Sequence, residues 1–351
     1  MNDWKFYTKS LWAFLAVPLL ATGIILSVSQ SAWAADEEKA AVARCQVVPQ
    51  AGHRVSLQVD GVEKAVWNFS DAYPRPFFFP LNGPAGTSLT RIGHPGAPNH
   101  DHHLSVWFAH HDVDGISFWA NSSKATVVQK EWLTYQDGDG AATMAVRNEW
   151  RDAEGTPRLD QQVVASLIAL PDGESMLEIQ TTLAAPEGVE SVVLGKTNFG
   201  LLAVRVAKGL SAHFGDGQLT SSEGRQGEKE NFEKSARWMD YSGSVGAGSG
   251  AARTTVREGI TYHDHPSNPG YPSGWHVRND GWMGSSLTMR EPIEIKQGEP
   301  LTVRYLLHTH RGDMDASQAK EIHSAFSNRP GWELKKAPRP HVAWEVVRKE
   351  S

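Results

Sequence analysis

Short runs in which apolar and polar residues alternate fill most of the chain after residue 54. In the first of them, Val55, Leu57 and Val59 alternate with polar residues until Asp60-Gly61. Further runs of this kind lie at 62–69, 125–135, 141–150, 162–170 and 176–183. Alternation with period two is typical of strands, and Asp-Gly between two such runs is typical of a hairpin turn. The pattern therefore predicts consecutive antiparallel hairpins.

One mature segment shows helical periodicity, and it follows the strands. Asp315 is a good N-cap, and apolar residues recur at helical spacing from Ala316 to Phe326. Two segments rich in charge or in glycine and serine, 226–234 and 242–252, are predicted surface loops. Many hairpins and one late helix predict an all-β fold, a large antiparallel β-sandwich.

The N-terminal residues predict an export signal. Lys5 and Lys9 precede an apolar stretch from Leu11 to Ser29, and Ala32-Trp33-Ala34 has the small-x-small pattern of a cleavage site. An uncleaved membrane anchor is the alternative. No later segment is long and apolar enough to span a bilayer, so we expect a periplasmic or secreted protein with no stable membrane span after signal cleavage. The predicted organisation is a signal peptide at 1–34, a leader at 35–54 and a single β-sandwich domain at 55–351.

Charge and cysteine content narrow the classes of partner. The formal net charge is −6, and the signal contributes +1 from Asp3, Lys5 and Lys9, which leaves −7 for the rest. This balance argues against nucleic acid as a partner and favours a carbohydrate or another small molecule. Cys45 is the only cysteine, so an internal disulfide is excluded. The thirteen tryptophans serve either the core or sugar-ring stacking, and composition does not decide which.

A first cluster of chemically competent residues lies at 91–119, which holds six of the fifteen histidines. They are His94, His100, His102, His103, His110 and His111. Leu104 to Ala109 between them is a predicted strand, on which alternate side chains share a face. Imidazoles and carboxylates at both ends of an apolar strand indicate a pocket wall, since imidazole is readily tuned for proton transfer or metal binding. A core strand with solvated ends is the alternative.

A second cluster lies at 262–278, where prolines and glycines predict a stiff, irregular loop. His276 and Arg278 share a face if the chain is extended, and such a pair can handle a proton and an anionic oxygen. The His-x-His pairs of both clusters can also chelate a metal, but their spacing matches no specific metal signature. The cofactor is therefore unknown, with a divalent metal possible and imidazoles acting without metal as the other hypothesis.

We expect the two clusters to converge on one pocket, because imidazoles buried apart from one another each need a separate hydrogen-bond partner. Glu223, in a Ser-Ser-Glu-Gly turn, is the carboxylate singled out between them, with a solvated turn residue as the alternative. The candidate catalytic residues are His102, His103, His263, His265, His276, Arg278 and Glu223. The candidate substrate-binding residues are Arg91, Asp101, His110, Lys196, Arg205, Trp238, Asp264, Asn268 and Trp275.

Five motifs in order resemble the bacterial exported family labelled "methane oxygenase PmoA". They are RPFFFPLNGPAGTSLTR, HDHHLSVWFAHHDVDGISFW, SSEG, WMDYSG and DHPSNPGYPSGWHVR, within about 73–312. The chain departs from the family pattern at Leu104, where Arg is common, and at His111, where Gly is common. The resemblance implies a place in bacterial carbohydrate utilisation and a large β-sandwich similar to that of aldose epimerases.

Residues and resemblance together predict an exported carbohydrate-active enzyme, a hydrolase or lyase acting on a glycoside or modified sugar through a histidine-rich pocket. One imidazole would move a proton, Arg278 would bind a developing oxyanion, and tryptophans would stack on the ring. Two alternatives remain open. One is a carbohydrate-binding protein without turnover, and the other is a metal-dependent oxidoreductase, as the family label suggests.

The cleavage pattern predicts that the mature protein starts at Ala35, because signal peptidase cuts after a small residue at the end of an apolar stretch. Mass spectrometry of the protein purified from its native host measures this directly. An intact N-terminus on a membrane-bound form would contradict the prediction.

Overall fold

Two eight-stranded antiparallel sheets make up most of the fold. The computed structural model describes residues 42–338 and 340–350. The strands of the first sheet are β1 (Cys45–Gln50), β2 (Arg54–Val59), β3 (Val62–Asn68), β4 (Phe77–Leu81), β5 (Val106–His110), β11 (Gly200–Arg205), β16 (Trp282–Ser286) and β15 (Gly274–Arg278), in spatial order. Those of the second sheet are β12 (Gln218–Ser221), β13 (Trp238–Ala247), β14 (Thr254–Asp264), β18 (Leu301–Arg311), β9 (Ser175–Ala184), β8 (Pro157–Ala169), β7 (Ala141–Arg151) and β6 (Thr126–Gln136).

Two small antiparallel strand pairs and two α-helices, with five short 3-10 turns, complete the described part of the fold. The pairs join β10 (Ser191–Leu194) to β17 (Ile293–Lys296) and β19 (Trp332–Lys336) to β20 (Trp344–Arg348). The helices are α1 (Gly227–Asn231) and α2 (Ala316–Ser327). The carboxylate of Asp315 accepts hydrogen bonds from the amides of Ser317 at 2.7 Å and Gln318 at 3.1 Å, which satisfies donors left free in the first turn of α2.

The apolar core lies between the two large sheets. Phe108 and Leu202 from the first sheet and Ile179 and Tyr262 from the second belong to one buried cluster. The hydroxyl of Tyr262 crosses the layer and donates to the carbonyl of Leu202 at 3.2 Å, so its polar atom is paired despite complete burial. The outer face of the second sheet is covered by α2, where Phe326 packs on Leu306.

The predicted all-β sandwich with one late helix is confirmed in class, and some local predictions are wrong. The segment 242–252 is not simply a loop, because β13 continues to Ala247 and pairs with β14. Its glycines allow close packing: a Cβ at Gly243 would lie 2.9 Å from the Cα of Gly217. The segment 226–234 contains the short helix α1, and the 262–278 loop is shorter than predicted because β14 and β15 form its two ends.

The N-terminal predictions overlap the structure only in part. The predicted signal peptide at 1–34 and residues 35–41 of the predicted leader lie outside the described residues. Strand β1 begins at Cys45, inside the range predicted as leader, and pairs along its length with β2. Val42–Ser351 forms one compact unit. Among residues 42–338 and 340–350, every helix falls short of the length and apolar character that a membrane crossing needs.

A buried charge network joins the second sheet to the C-terminal strands. Glu178 on β9 is fully buried and accepts hydrogen bonds from Arg304 at 2.9 Å, Arg329 at 2.7 Å and Arg348 at 2.7 Å. Burial disfavours the charged carboxylate, but the hydrogen bonds and charges of the arginines, Arg348 foremost, outweigh it and hold the pKa of Glu178 below its usual value. The network therefore stabilises the fold only while Glu178 is ionised.

We expect Glu178→Gln to lower the free energy of unfolding by about 3–5 kcal/mol, because it leaves the buried guanidinium of Arg304 without its charge partner. The depressed pKa contributes stability above the unfolded value of about 4.3, and this contribution is lost as pH falls through the lower folded value. Urea unfolding at several pH values measures both effects. In the matched control Glu333→Gln, which breaks the exposed 2.8 Å pair with Lys335, the change should stay within about 0.5 kcal/mol. Equal losses in the two variants would contradict the prediction.

Candidate functional site

A cavity of about 240 Å³ opens on the face of the first sheet that points away from the core. Four imidazoles, three aromatic side chains and three charged groups line it. They are His100, His102, His103 and His276, then Trp119, Phe199 and Trp282, then Arg205, Arg278 and Asp280. The combination of stacking surfaces, proton carriers and charge makes this cavity the candidate functional site.

Strand alternation supplies four of the ten lining residues. On β15, His276 and Arg278 face the cavity, while Val277 between them is buried in the core. On the neighbouring strands, Arg205 of β11 and Trp282 of β16 face the cavity in the same way. Because successive side chains of a strand point to opposite faces, the strands that close the core also build the site.

The segment before β5 supplies the histidine side of the cavity. The rings of His102 and His103 lie 4.4 Å apart between centroids, and the ring of His103 lies 5.2 Å from that of Trp282. Ser105 adopts a left-handed conformation with φ of 68°, and the regular strand starts only at Val106. Regular alternation would place the adjacent His102 and His103 on opposite faces, but both precede the regular strand, and both rings line the cavity.

A buried ion pair forms the base of the site. Arg205, which is only 1% exposed, donates to one oxygen of Asp280 at 2.7 Å, and His94 Nε2 donates to the other at 2.9 Å. Because His94 Nδ1 accepts from the amide of Gly96 at 3.0 Å, the ring proton resides on Nε2. Burial alone would raise the pKa of Asp280, but Arg205 and then His94 outweigh it and hold the pKa at about 2. Asp280 is thus a fixed anion with both oxygens occupied.

His102, His103 and His276 are neutral near pH 7. Burial first, then the charge of His100, lowers the pKa of His102 to about 4. Burial and the charge of Arg278 lower the pKa of His276 to about 4, and burial with the charge of Arg205 holds the pKa of His103 lower still. His276 Nδ1 lies 3.1 Å from the carbonyl oxygen of Asn198, which can only accept, so Nδ1 carries the proton and Nε2 is the basic atom.

Arg278 is oriented by three contacts. Its guanidinium carbon lies 4.2 Å from the ring centroid of Phe232, and Nη1 donates to the carbonyl of Val277 at 3.1 Å. Its acidic partner is Glu228 at 3.4 Å, which in turn accepts from the amide of Asn279 at 2.8 Å. The side chain is 39% exposed, so the charge is held in position yet accessible from the cavity.

Several buried N–H groups at the floor have no hydrogen-bond partner among residues 42–338 and 340–350. They are Nε1 of Trp282 and the Nε and Nη2 atoms of Arg205. Each Trp indole nitrogen can only donate, and so can each guanidinium nitrogen. The floor therefore favours ligands rich in acceptor oxygens.

The predicted convergence on one pocket is wrong for two of the five candidate catalytic histidines. His263 lies on β14 in the second sheet, where it is fully buried and stacks on His323 of α2 at 5.8 Å. His265 accepts from Arg304 at 2.8 Å and packs on Phe326. The chain crosses from one sheet to the other between His265 and His276. The two clusters therefore separate, although these residues are close in sequence.

Other predicted residues have structural roles. Asp264 accepts from Asn268 at 2.7 Å and from the amide of Ser273 at 3.0 Å, which holds the 265–273 loop. Trp238 lies beside His263 on the second sheet. Trp275 faces the core, since it alternates with His276, and its indole donates to the carbonyl of Ala236 at 2.8 Å.

The remaining predicted residues lie at the margins or outside the cavity. Glu223 is an exposed turn residue paired with Arg237 at 3.5 Å, and Lys196 is exposed. His110 is buried with Nε2 against the hydroxyl of Thr288 at 2.9 Å, and Asp101 is exposed. Arg91 supports the site from behind, since it donates to the backbone carbonyl of Asp280 at 2.7 Å. Thus Arg205 and Arg278 are the predicted cationic residues that line the cavity.

The candidate site residues predicted from sequence did not include His100, Asp280, Trp282, Trp119 or Phe199, and His94 was given no role. One signal was present: Asn279-Asp280-Gly281 is a turn signal directly after His276 and Arg278. A hairpin there brings Trp282 opposite Arg278, as the observed register has it. The aromatic walls come from distant segments and have no local signal.

The metal hypothesis gains no support from the geometry. Among residues 42–338 and 340–350, three or more His, Cys, Asp or Glu side chains do not come together in a metal-binding arrangement. The imidazoles of the cavity stack and tilt against one another, with His100 and His102 at 5.6 Å between centroids.

Comparison with known proteins identifies the family. The sequence profile of DUF6807, described as a family of unknown function, matches residues 54–324, so the chain belongs to this family. The label "methane oxygenase PmoA" is thereby corrected, since no methane oxygenase family matches. No curated protein matches the sequence. Among solved structures, a GalM/aldose epimerase homologue from C. elegans aligns over 77% of this chain and 100% of its own with 8% identity and a TM-score of 0.27, too low to carry an argument.

We expect the rings of His102 and His276 to stay neutral from about pH 8 down to about pH 5.5, because burial disfavours their charged forms. Nitrogen-15 shifts of histidine side chains, assigned with His102→Gln and His276→Gln, measure this, and His276 should show the tautomer with the proton on Nδ1. A protonation midpoint above about pH 6 for either ring would contradict the prediction.

Proposed function

We propose that this DUF6807 protein is an exported carbohydrate-active enzyme that holds one sugar unit in the cavity and acts on it by proton transfer through neutral imidazoles. The observation that carries the proposal is the state of His276. Its Nδ1 proton is engaged by the carbonyl of Asn198, and its basic Nε2 belongs to a neutral ring that lines the cavity. A base in this form can accept a proton at neutral pH.

The walls and floor support a sugar as ligand. Trp119, Phe199 and Trp282 offer aromatic faces, on which the apolar faces of sugar rings can pack. The volume of about 240 Å³ is below the usual range of about 300–1,000 Å³ for drug-sized ligands, so it suits a single ring rather than an oligomer. The free N–H donors of Trp282 and Arg205 match the many acceptor oxygens of a sugar.

The charged groups favour a lyase over a hydrolase. Hydrolysis of glycosides commonly uses two carboxylates about 5–9.5 Å apart, one of them free to donate a proton. Among the described residues, Asp280 is the carboxylate that lines the cavity, and both of its oxygens are engaged. In an elimination, His276 takes a proton from a ring carbon, the C–H electrons form a C=C bond, and the adjacent C–O bond breaks. The departing oxygen then takes that proton from the His276 imidazolium, directly or through a water molecule, so atoms and charge balance and His276 returns to its neutral form.

We expect His276→Gln to lower kcat by about 100-fold or more, because general base catalysis typically contributes about 10²–10⁴-fold. Glutamine keeps a hydrogen-bonding side chain, so binding of the sugar should change little. The assay follows the ultraviolet absorbance of unsaturated products from a library of polysaccharides, with calorimetry for binding.

The matched control is His323→Gln, which changes a buried histidine whose pKa burial also lowers to about 4, but on the second sheet. Its kcat should remain at the wild-type value for the folded fraction. Equal loss in both variants would contradict a catalytic role for His276. Sugar binding without turnover in the wild type would favour the alternative of a non-catalytic carbohydrate-binding protein.

A further inference from the structure

The cavity holds more positive than negative charge. Arg205 and Arg278 line it, and Asp280 is the carboxylate among its lining residues. Asp280 neutralises Arg205 at 2.7 Å, whereas Arg278 has only the looser pair with Glu228 at 3.4 Å. The charges of Arg205 and Arg278 also help to keep His103 and His276 unprotonated, which is a second sign of positive potential at the cavity. One cation therefore remains available to a ligand.

Arg278 has the properties of a receptor for a carboxylate. Stacking on Phe232 and the bond to the carbonyl of Val277 fix the plane of the guanidinium, and the side chain is 39% exposed. A planar guanidinium presents paired donors that match the two oxygens of a carboxylate. Since orientation is already restricted, less conformational entropy is lost on binding.

We propose that the substrate is an acidic sugar, of the uronic acid class, whose carboxylate binds Arg278 while His276 accepts the proton from the carbon next to that carboxylate. This inference rests on the proposed function, because it names the substrate of the same site. His276 and Arg278 are two positions apart on β15 and face the same side, so their Cα atoms are about 6–7 Å apart. Side chains projecting in parallel at this spacing can reach two neighbouring groups of one sugar.

The carboxylate of the substrate makes the neighbouring C–H bond acidic enough for His276 to take its proton. When the C–H bond breaks, its electron pair delocalises onto the carboxylate oxygens, and the charge of Arg278 stabilises that developing dianion. The pair then forms the C=C bond as the C–O bond on the next carbon breaks. Bound carboxylate also neutralises Arg278, which otherwise lowers the pKa of His276, so substrate binding strengthens the base that must act on it.

The test compares D-galacturonate with D-galactose, which differ only at the carboxylate, by isothermal titration calorimetry on the full protein. The wild type should bind galacturonate about tenfold or more tightly than galactose, the range of a charge-assisted hydrogen bond. Arg278→Met should abolish this preference by weakening galacturonate about tenfold or more and galactose far less, and Arg278→Lys should restore part of the preference. Binding of galacturonate should also raise the pKa of His276, measured from nitrogen-15 shifts. If Arg278 had only a structural role, galacturonate would not change this pKa.

The chain offers a closely matched control in Arg237→Met. Arg237 is also 39% exposed, has a loose acidic partner at 3.5 Å in Glu223, and stacks on an aromatic ring, Trp238 at 5.0 Å, but it lies outside the cavity. This variant should keep the wild-type preference for galacturonate. A loss of preference equal to that of Arg278→Met would overturn the inference.

Different results would contradict the acidic-sugar inference and the proposed sugar-binding function. Equal affinity of the wild type for both sugars, or equal weakening of both by Arg278→Met, overturns the acidic-sugar inference and leaves the sugar site intact. Acetate binding as tightly as galacturonate, with no binding of galactose, contradicts the proposed sugar recognition instead. If none of the three probes binds at millimolar concentration, both proposals are wrong.

Discussion

The buried pair between Arg205 and Asp280 is the constraint on which the site depends. A guanidinium that is 1% exposed must have a partner, since removing one member of such a pair costs about 3–5 kcal/mol. Its partner sits in the turn between β15 and β16, and that turn also engages His94 from the segment before β5. One carboxylate thus joins three parts of the chain and places His276 and the histidine segment around a common floor.

Much of the fold can be predicted from local sequence, because the alternation of apolar and polar residues and the Asp-Gly turns depend only on neighbouring residues. The hairpins of β2 with β3 and β8 with β9, and the helix after Asp315, are formed as predicted. Errors occur where small residues form strands, as at Gly243, and where the apolar residues of a strand do not alternate, as at Val47 and Val48 in β1. Packing against a neighbouring backbone decides these cases, and the local sequence does not encode it.

The site was predictable where one segment supplies several of its members. His102 and His103 are adjacent, and His276 and Arg278 share a strand face, so the sequence brings each pair together. Which segments meet is decided by the sheet to which each strand belongs. His263 and His276 are close in number, yet one is on a strand of the second sheet and the other on the edge strand of the first. Walls such as Trp119 and Phe199 become recognisable only once this pairing is known.

Strands of the first sheet such as β15 have one face toward the core and one toward the cavity, so core packing and ligand chemistry depend on different residues. On β15, Val277 belongs to the core, while His276 and Arg278 on either side face the cavity. A substitution at a cavity position changes ligand chemistry without opening a void between the sheets, and a substitution at a core position does the reverse. New specificities can therefore arise by exchanging His276 and Arg278 on β15, at little risk to the scaffold that carries them.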